Sequence, residues 1–330
     1  MAQVDFKSIV NVIKVTIKGF NDDKIMKLSA SLAYATLFSL VPFLSLIISI
    51  GTFFNMDVGS QLYSSLDIIL GESAVDNLQN IINNASLSRS TGWATIISLG
   101  VTIFGATTIF AEMQSSLNMI WGIKPKPKKG WLKYILNRLL SFSMIIVFAF
   151  LMLITFLLTG FINGMRDQLI ILYPDITAII FQIIGFLVNA SLITFVFMLI
   201  FKILPDAKIK FKDVVVGAIV TTVLFLIGQF AISFYLQTRD TESVYGAAAF
   251  IVILLTWIYY SSIIIYIGAE FTESWADEMG SKIYPSEFAV TTKIIEVQKE
   301  DEPVESINKV EVDKTEGEQV SDTEEAQEER

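Results

Sequence analysis

The sequence predicts an all-α, polytopic membrane helix bundle with six transmembrane helices and both termini cytoplasmic. Three observations lead there: an apolar composition, six windows of spanning length, and a one-sided distribution of Lys and Arg. Of 330 residues, 53% are hydrophobic and 17% charged, outside the balance of a soluble domain. The formal charge of -9 is misleading. Residues 276–330 hold 17 Asp/Glu against 6 Lys/Arg, which leaves about +2 on the rest of the chain.

The first 27 residues carry Lys7, Lys14, Lys18, Lys24 and Lys27 and precede an apolar window at about 28–54. That window lacks a small-x-small cleavage site at its end, so it is expected to stay in the protein as a signal-anchor helix. From about 55 to 92, Leu62, Leu66, Ile69, Leu70, Val75, Leu78, Ile81 and Ile82 recur at helical spacing. The pattern predicts one or two amphipathic helices that lie on the membrane surface or cap the bundle. Further windows follow at about 93–120, 139–162, 176–201, 214–236 and 247–268. Each approaches the roughly 20 residues that a helix needs to cross about 30 Å of hydrocarbon.

If the helices alternate in direction, segments 1–27, 121–138 and 202–213 share one side and hold 15 Lys/Arg. The opposite loops hold three, namely Arg89, Arg166 and Arg239. Lys and Arg accumulate on the cytoplasmic side, so both termini are expected inside. Residues 28–275 then form the transmembrane domain. The acidic stretch 276–330 has no aromatic residue after Phe288 and is expected to be a disordered cytoplasmic tail.

The chain contains neither cysteine nor histidine. Disulfides, thiol catalysis and Cys-based metal sites are excluded, and the commonest metal ligand and general base are missing. No cofactor, metal or enzymatic activity is expected. Candidate pathway or ion-binding residues are Glu112, Gln114, Asn118, Tyr245 and Glu270. An acidic residue in a span is a functional candidate by default, but Glu112 falls about 28 Å along its helix, near the cytoplasmic surface. Pairing with basic loops is an equal reading. If Glu112 and Glu270 met, they would bind a cation or share a proton.

Ser31, Ala35 and Ser39 recur every fourth residue beside Tyr34 and before Pro42. Close helix packing is the favoured reading, and a polar face with a proline kink is the alternative. Gln182, Asn189 and Gln229 lie in mid-span and suit interhelical hydrogen bonds, the favoured reading, or the lining of a polar cavity. The basic run from Lys124 to Lys129 is explained by topology, so nucleic acid is not an expected partner, whereas membrane lipid is.

Several short stretches, taken in order, resemble the YihY/BrkB family of bacterial inner-membrane proteins. They are Leu32-Ala33-Tyr34 through Ser39-Leu40-Val41-Pro42, Leu117-Asn118-Met119-Ile120-Trp121-Gly122, Leu204-Pro205, Gly217-Ala218, Phe234-Tyr235-Leu236, Val244-Tyr245-Gly246, Trp257-Ile258-Tyr259 and Gly268-Ala269-Glu270. The resemblance covers nearly all of the first 280 positions and implies a bacterial inner-membrane location. Members have been discussed as transporters, as cation/proton exchangers, and in connection with envelope integrity and virulence. The family was also once labelled ribonuclease BN. A chain with no histidine and only short soluble segments argues against phosphodiester hydrolysis.

The expected function is therefore transport of a small solute or cation. The alternative is a lipid-handling or envelope-scaffolding role. A polar, water-filled interior would favour the first, and a groove open sideways to lipid would favour the second.

Overall fold

A computed structural model describes residues 6–53, 55, 57–70, 72–86, 93–126, 130–169, 174–238, 249–287 and 289–292. Among these residues the chain is helical almost throughout. The helices are α1 (Phe6–Asp22), α2 (Ile25–Phe53), α3 (Val58–Leu70), α4 (Glu72–Ser86), α5 (Trp93–Ile120), α6 (Gly130–Leu169), α7 (Pro174–Ile203), α8 (Phe211–Thr238) and α9 (Ala249–Glu278). Four short strands join them: β1 (Ile123–Pro125), β2 (Ala207–Lys208), β3 (Tyr284–Pro285) and β4 (Ala289–Thr291).

The six long helices close a ring in which α2 packs on α5, α5 on α6, α6 on α7, α7 on α8, α8 on α9, and α9 on α2. The main core fills the end of the ring nearest β1, with Leu32, Phe110, Leu117, Ile145, Phe201, Tyr266 and Ala269 among its buried members. Arg138 of α6 ties that helix to α5, donating to the Thr107 hydroxyl at 3.1 Å and lying 4.1 Å from the Phe104 ring centroid. Glycines bring α8 and α9 together. A β-carbon at Gly217 would collide with Thr272, and one at Gly268 with Thr221, so only a hydrogen fits at each crossing.

Among the described residues, five helical stretches are long and apolar enough to cross a membrane: Ile25–Phe53, Ile135–Arg166, Ile179–Ile203, Phe211–Ile232 and Ile251–Glu278. They agree with the expected windows, with α9 reaching ten residues beyond the expected end at 268. Glu270 therefore lies inside α9 rather than after it. Helix α5, 28 residues long, is not one of these five.

Helices α3 and α4 cap the ring. Leu62, Leu78 and Ile82 pack on Leu44 of α2, and Val75 packs with Ala33 and with Leu254 and Ile258 of α9. Asp57 caps the start of α3, its carboxylate accepting from the Ser60 amide at 3.1 Å and from the Ser60 hydroxyl at 2.7 Å. Those two bonds hold its pKa below the ordinary value.

Two features depart from expectation. The N-terminal segment forms α1, which packs on α9 through a face containing Val12 and Thr16. On its far side Phe6, Ile9, Ile13 and Ile17 are exposed, flanked by exposed Lys7, Lys14 and Lys18. A 17-residue amphipathic helix was hidden because its apolar positions are too few for a spanning window. Second, the expected tail boundary at 276 moves. Residues 276–278 complete α9, β4 pairs antiparallel with β1, and β3 pairs antiparallel with β2. Acidic composition concealed this because backbone pairing draws on main-chain groups that composition does not report. The rest of the tail, 293–330, lies outside the described residues.

Candidate functional site

Polar residues gather in two places. The first is the inner end of the ring, where α2, α5 and α9 meet beside α1. Ser31 of α2 donates a hydrogen bond to the Glu112 carboxylate at 2.5 Å. Tyr266, fully buried on α9, lies within electrostatic range of Glu112 and beside Ser116, in a geometry too poor for a full hydrogen bond. One turn further on, Glu270 is 3% exposed and faces the α1–α2 corner. Its carboxyl presses on the backbone at Gly19 and lies within hydrogen-bonding reach of Asp23, with Glu273 and Asp22 nearby. The sequence leaves open whether Glu112 and Glu270 meet; among the described residues Glu112 is held by Ser31, and no hydrogen bond joins it to Glu270. Among the described residues, no cluster of three or more acidic side chains is arranged to hold a metal ion.

Asn118 plays a different part from the one expected. It is 4% exposed, donates from Nδ2 to the Asp206 carboxylate at 3.1 Å, and accepts from the Asp206 amide through Oδ1 at 2.8 Å. Both ends of this side chain are committed to pinning the α7–β2 turn onto α5. Trp121 adds a second pin, donating from Nε1 to the Ala269 carbonyl at 3.1 Å. Gly122 follows with φ +57, and the Thr292 carbonyl oxygen sits 3.0 Å from where a β-carbon would be, so this turn requires glycine. Its own carbonyl accepts from the Thr292 amide at 2.7 Å. Asp213, in the first turn of α8, accepts from the Ser281 amide at 3.1 Å and hydroxyl at 2.9 Å. The stretches Leu117–Gly122, Leu204–Pro205 and Gly268–Glu270, which carried the resemblance, thus converge on one lock at the inner end.

Gln114 is buried, and its Nε2 has no hydrogen-bond partner among the described residues; the same holds for Ser29 Oγ and Glu270 Oε1. Ser39 is buried and Ala35 half-buried, as close packing requires. Tyr34 is 66% exposed and packs against Phe38 in a tilted ring pair with centroids 4.7 Å apart, so it does not line an internal polar face. The Pro42 ring sits against Gly105 of α5, within 3.0 Å of the position a β-carbon would take there. Tyr245 lies outside the described residues.

The second place is a half-open cleft of about 380 Å³ between α6 and α7. Helix α6 lines it with Thr155, Thr159, Ile162 and Arg166, spaced by four, three and four so that all share one face. Helix α7 contributes Gln182 and Asn189 beside Gly185, Val188 and Leu192. This is the most sparsely packed seam of the ring. Along the first half of α7, Ile179, Ile180, Ile183, Phe186 and Leu187 are all exposed. Sequence reading favoured interhelical bonds for Gln182 and Asn189, with a polar cavity as the alternative, and left Arg166 as a loop residue. The available signal was that Arg166 is one of only three cations on the expected outer side.

A ring of long apolar helices, locked at one end and cleft at the other, defines an integral membrane protein built as a multi-helix bundle. A sequence profile of the family described as Virulence factor BrkB matches residues 16–287. The chain belongs to that family. It is 28% identical over 273 residues to a UPF0761 membrane protein of Vibrio vulnificus, covering 79% of this chain and 80% of the relative. Its identity to a UPF0761 membrane protein of Cronobacter sakazakii is 26% over 270 residues, covering 78% and 86%. To that of Idiomarina loihiensis it is 25% over 293 residues, covering 83% and 95%. No solved structure matches.

Proposed function

We propose that this is a non-enzymatic, multi-pass protein of the bacterial inner membrane that handles lipid through the α6–α7 cleft. The observation that carries the reading is the construction of the cleft. Two adjacent helices line it, whereas a central conduit would draw side chains from all six. Its walls mix polar and apolar side chains, its rim is exposed, and each wall extends over 12 residues, about 16 Å and thus near one leaflet of hydrocarbon. In the bilayer such a groove admits a lipid headgroup from the side. The inner end, by contrast, is sealed by hydrogen bonds and packing.

Six crossings and an inside location for both ends belong to the same proposal. The Asn11 amide donates to Glu278 at 2.8 Å, and Gly19 abuts Glu270, so the chain's start lies beside the far end of α9. An even number of crossings follows, and α5 supplies the sixth. The 15 Lys/Arg on that side orient it toward the cytoplasm.

Gly185→Leu tests the reading. A β-carbon at Gly185 meets nothing within 4 Å, so the side chain enters the cleft without disturbing the fold. Native mass spectrometry of protein extracted in mild detergent is expected to show bound phospholipid on the wild type and its loss from the variant. Equal lipid retention in both would sink the proposal.

A second reading, movement of a cation or small solute, is favoured by the unpartnered Gln114, Ser29 and Glu270 atoms between α2, α5 and α9. Its test is proton flux in proteoliposomes with a trapped pH dye, and flux lost in Glu112→Gln or Glu270→Gln would establish it.

A further inference from the structure

We infer that the α6–α7 cleft selects an anionic phospholipid, with the Arg166 guanidinium as counter-ion to the lipid phosphate and the acyl chains left in the surrounding bilayer. The inference rests on the cleft being a lipid site and goes on to name the class of lipid.

Charge comes first. Among the described residues, Arg166 is the only charged side chain lining the cleft, and no carboxylate forms an ion pair with it. A guanidinium offers a planar fork of donors that matches two phosphate oxygens at once. Around it the remaining polar groups are neutral and able to donate: the Gln182 and Asn189 amides and the Thr159 hydroxyl. The Thr155 hydroxyl is already spent on the Leu151 carbonyl at 2.8 Å, so it offers only its lone pairs. Among the described residues the lining holds one cation and no acid, which suits an anion and disfavours a cationic or zwitterionic group, whose ammonium would find no carboxylate there.

Position comes second. Arg166 lies in the last turn of α6, at the mouth of the cleft, while Thr155 and Leu192 mark its deeper end. A cation there complements the helix dipole, and that bland role accounts for its charge but not for a cavity beside it. Topology disfavours the charge as well, since this side of the bundle holds three Lys/Arg against 15 on the other. The volume of about 380 Å³ takes a glycerophosphate headgroup but not a pair of acyl chains. Gly160, Gly164 and Gly185 leave open space along both helices, where chains can lie against the protein.

The test uses the full chain in detergent, titrated with phosphatidylglycerol, phosphatidylcholine and free glycerol phosphate, with native mass spectrometry as readout. The wild type is expected to bind phosphatidylglycerol at least about tenfold more tightly than phosphatidylcholine. Arg166→Gln should remove that preference, and Arg166→Lys should restore part of it, because hydrogen bonds to a charged group are worth a factor of roughly ten or more in affinity. Arg166 is exposed, so both variants should melt with the wild type. Phosphatidylcholine binding that equals phosphatidylglycerol and ignores Arg166→Gln, yet disappears in Gly185→Leu, overturns the anion selectivity and leaves the lipid cleft standing. Binding of neither lipid overturns both. Free glycerol phosphate competing as well as the intact lipid overturns the lipid assignment in favour of a soluble phosphate.

Discussion

Replacing Asn118 by leucine removes two hydrogen bonds at once. The Asp206 carboxylate loses a charge-assisted donor at 3.1 Å, and the Asp206 backbone amide loses its acceptor at 2.8 Å. Asp206 is 9% exposed, so water does not readily substitute. A hydrogen bond to a charged group contributes about 1.5–3 kcal/mol, and a buried donor left unmade costs about 1–3 kcal/mol. The sum is roughly 3–5 kcal/mol, which for a chain of this size lowers the melting temperature by on the order of 10 °C. Polytopic proteins commonly unfold irreversibly, so the quantity to compare is the apparent midpoint at one scan rate, followed by intrinsic tryptophan fluorescence in detergent. Gln114→Met is the internal control. It alters a side-chain amide four residues earlier on the same helix, but the Gln114 nitrogen has no partner to lose. Replacing it with an apolar side chain of similar volume should leave the midpoint unchanged or raise it. The assignment of Asn118 as a pin is refuted if Asn118→Leu melts with the wild type while lipid binding or flux disappears.

Other consequences are open to direct measurement. Gly268→Ala drives a methyl group into Thr221 and should lower the midpoint through an overpacking cost of about 1–3 kcal/mol, whereas Gly185→Ala meets open space and should be neutral or stabilising; the reverse order in a melting comparison would contradict the close α8–α9 crossing. A chain ending at Met279 loses the Asp213–Ser281, Asp206–Ser286 and Gly122–Thr292 bonds. It should melt several degrees below a chain ending at Thr292, at about 1 kcal/mol per bond lost. The Asp57 cap has its pKa lowered in the folded state, so its contribution is present above the ordinary Asp value of 3.8 and fades as pH falls through the depressed value. Protection of the Ser60 amide from hydrogen exchange, measured against its intrinsic rate at each pH, should therefore fall only in acid, and Asp57→Ala should lower it at every pH.

What the sequence disclosed depended on signals that a one-dimensional pattern carries. Runs of apolar residues located the spanning helices, because lipid obliges a backbone to satisfy its hydrogen bonds within each segment. The amphipathic spacing of Leu62, Leu78 and Ile82 likewise announced the capping helices. Helix α1 escaped notice because its apolar positions are too few for a spanning window and its lysines read as a basic loop. The candidate residues were harder still. Asn118 and Glu112 both stood out as polar groups in a helix, but only geometry distinguishes an amide saturated by Asp206 from a carboxylate held by Ser31. Arg166 was counted for topology and nothing else, since no local pattern reveals that residues 155–166 and 181–192 leave a gap between them.

The lock at the inner end has a bearing on how the molecule is made. Gly122 accepts from the Thr292 amide, 170 positions later, and Asp213 waits for Ser281, 68 positions later. A polypeptide emerging from the ribosome in order delivers every long helix to the bilayer before these partners exist. Loop-closing contacts of such separation form last and slowly. The ring is therefore assembled unfastened, and its final residues act as a clasp drawn shut once synthesis has passed position 292. A newly made chain stalled or cleaved before that point would have its helices inserted while the groups at Gly122 and Asp213 still lack these partners.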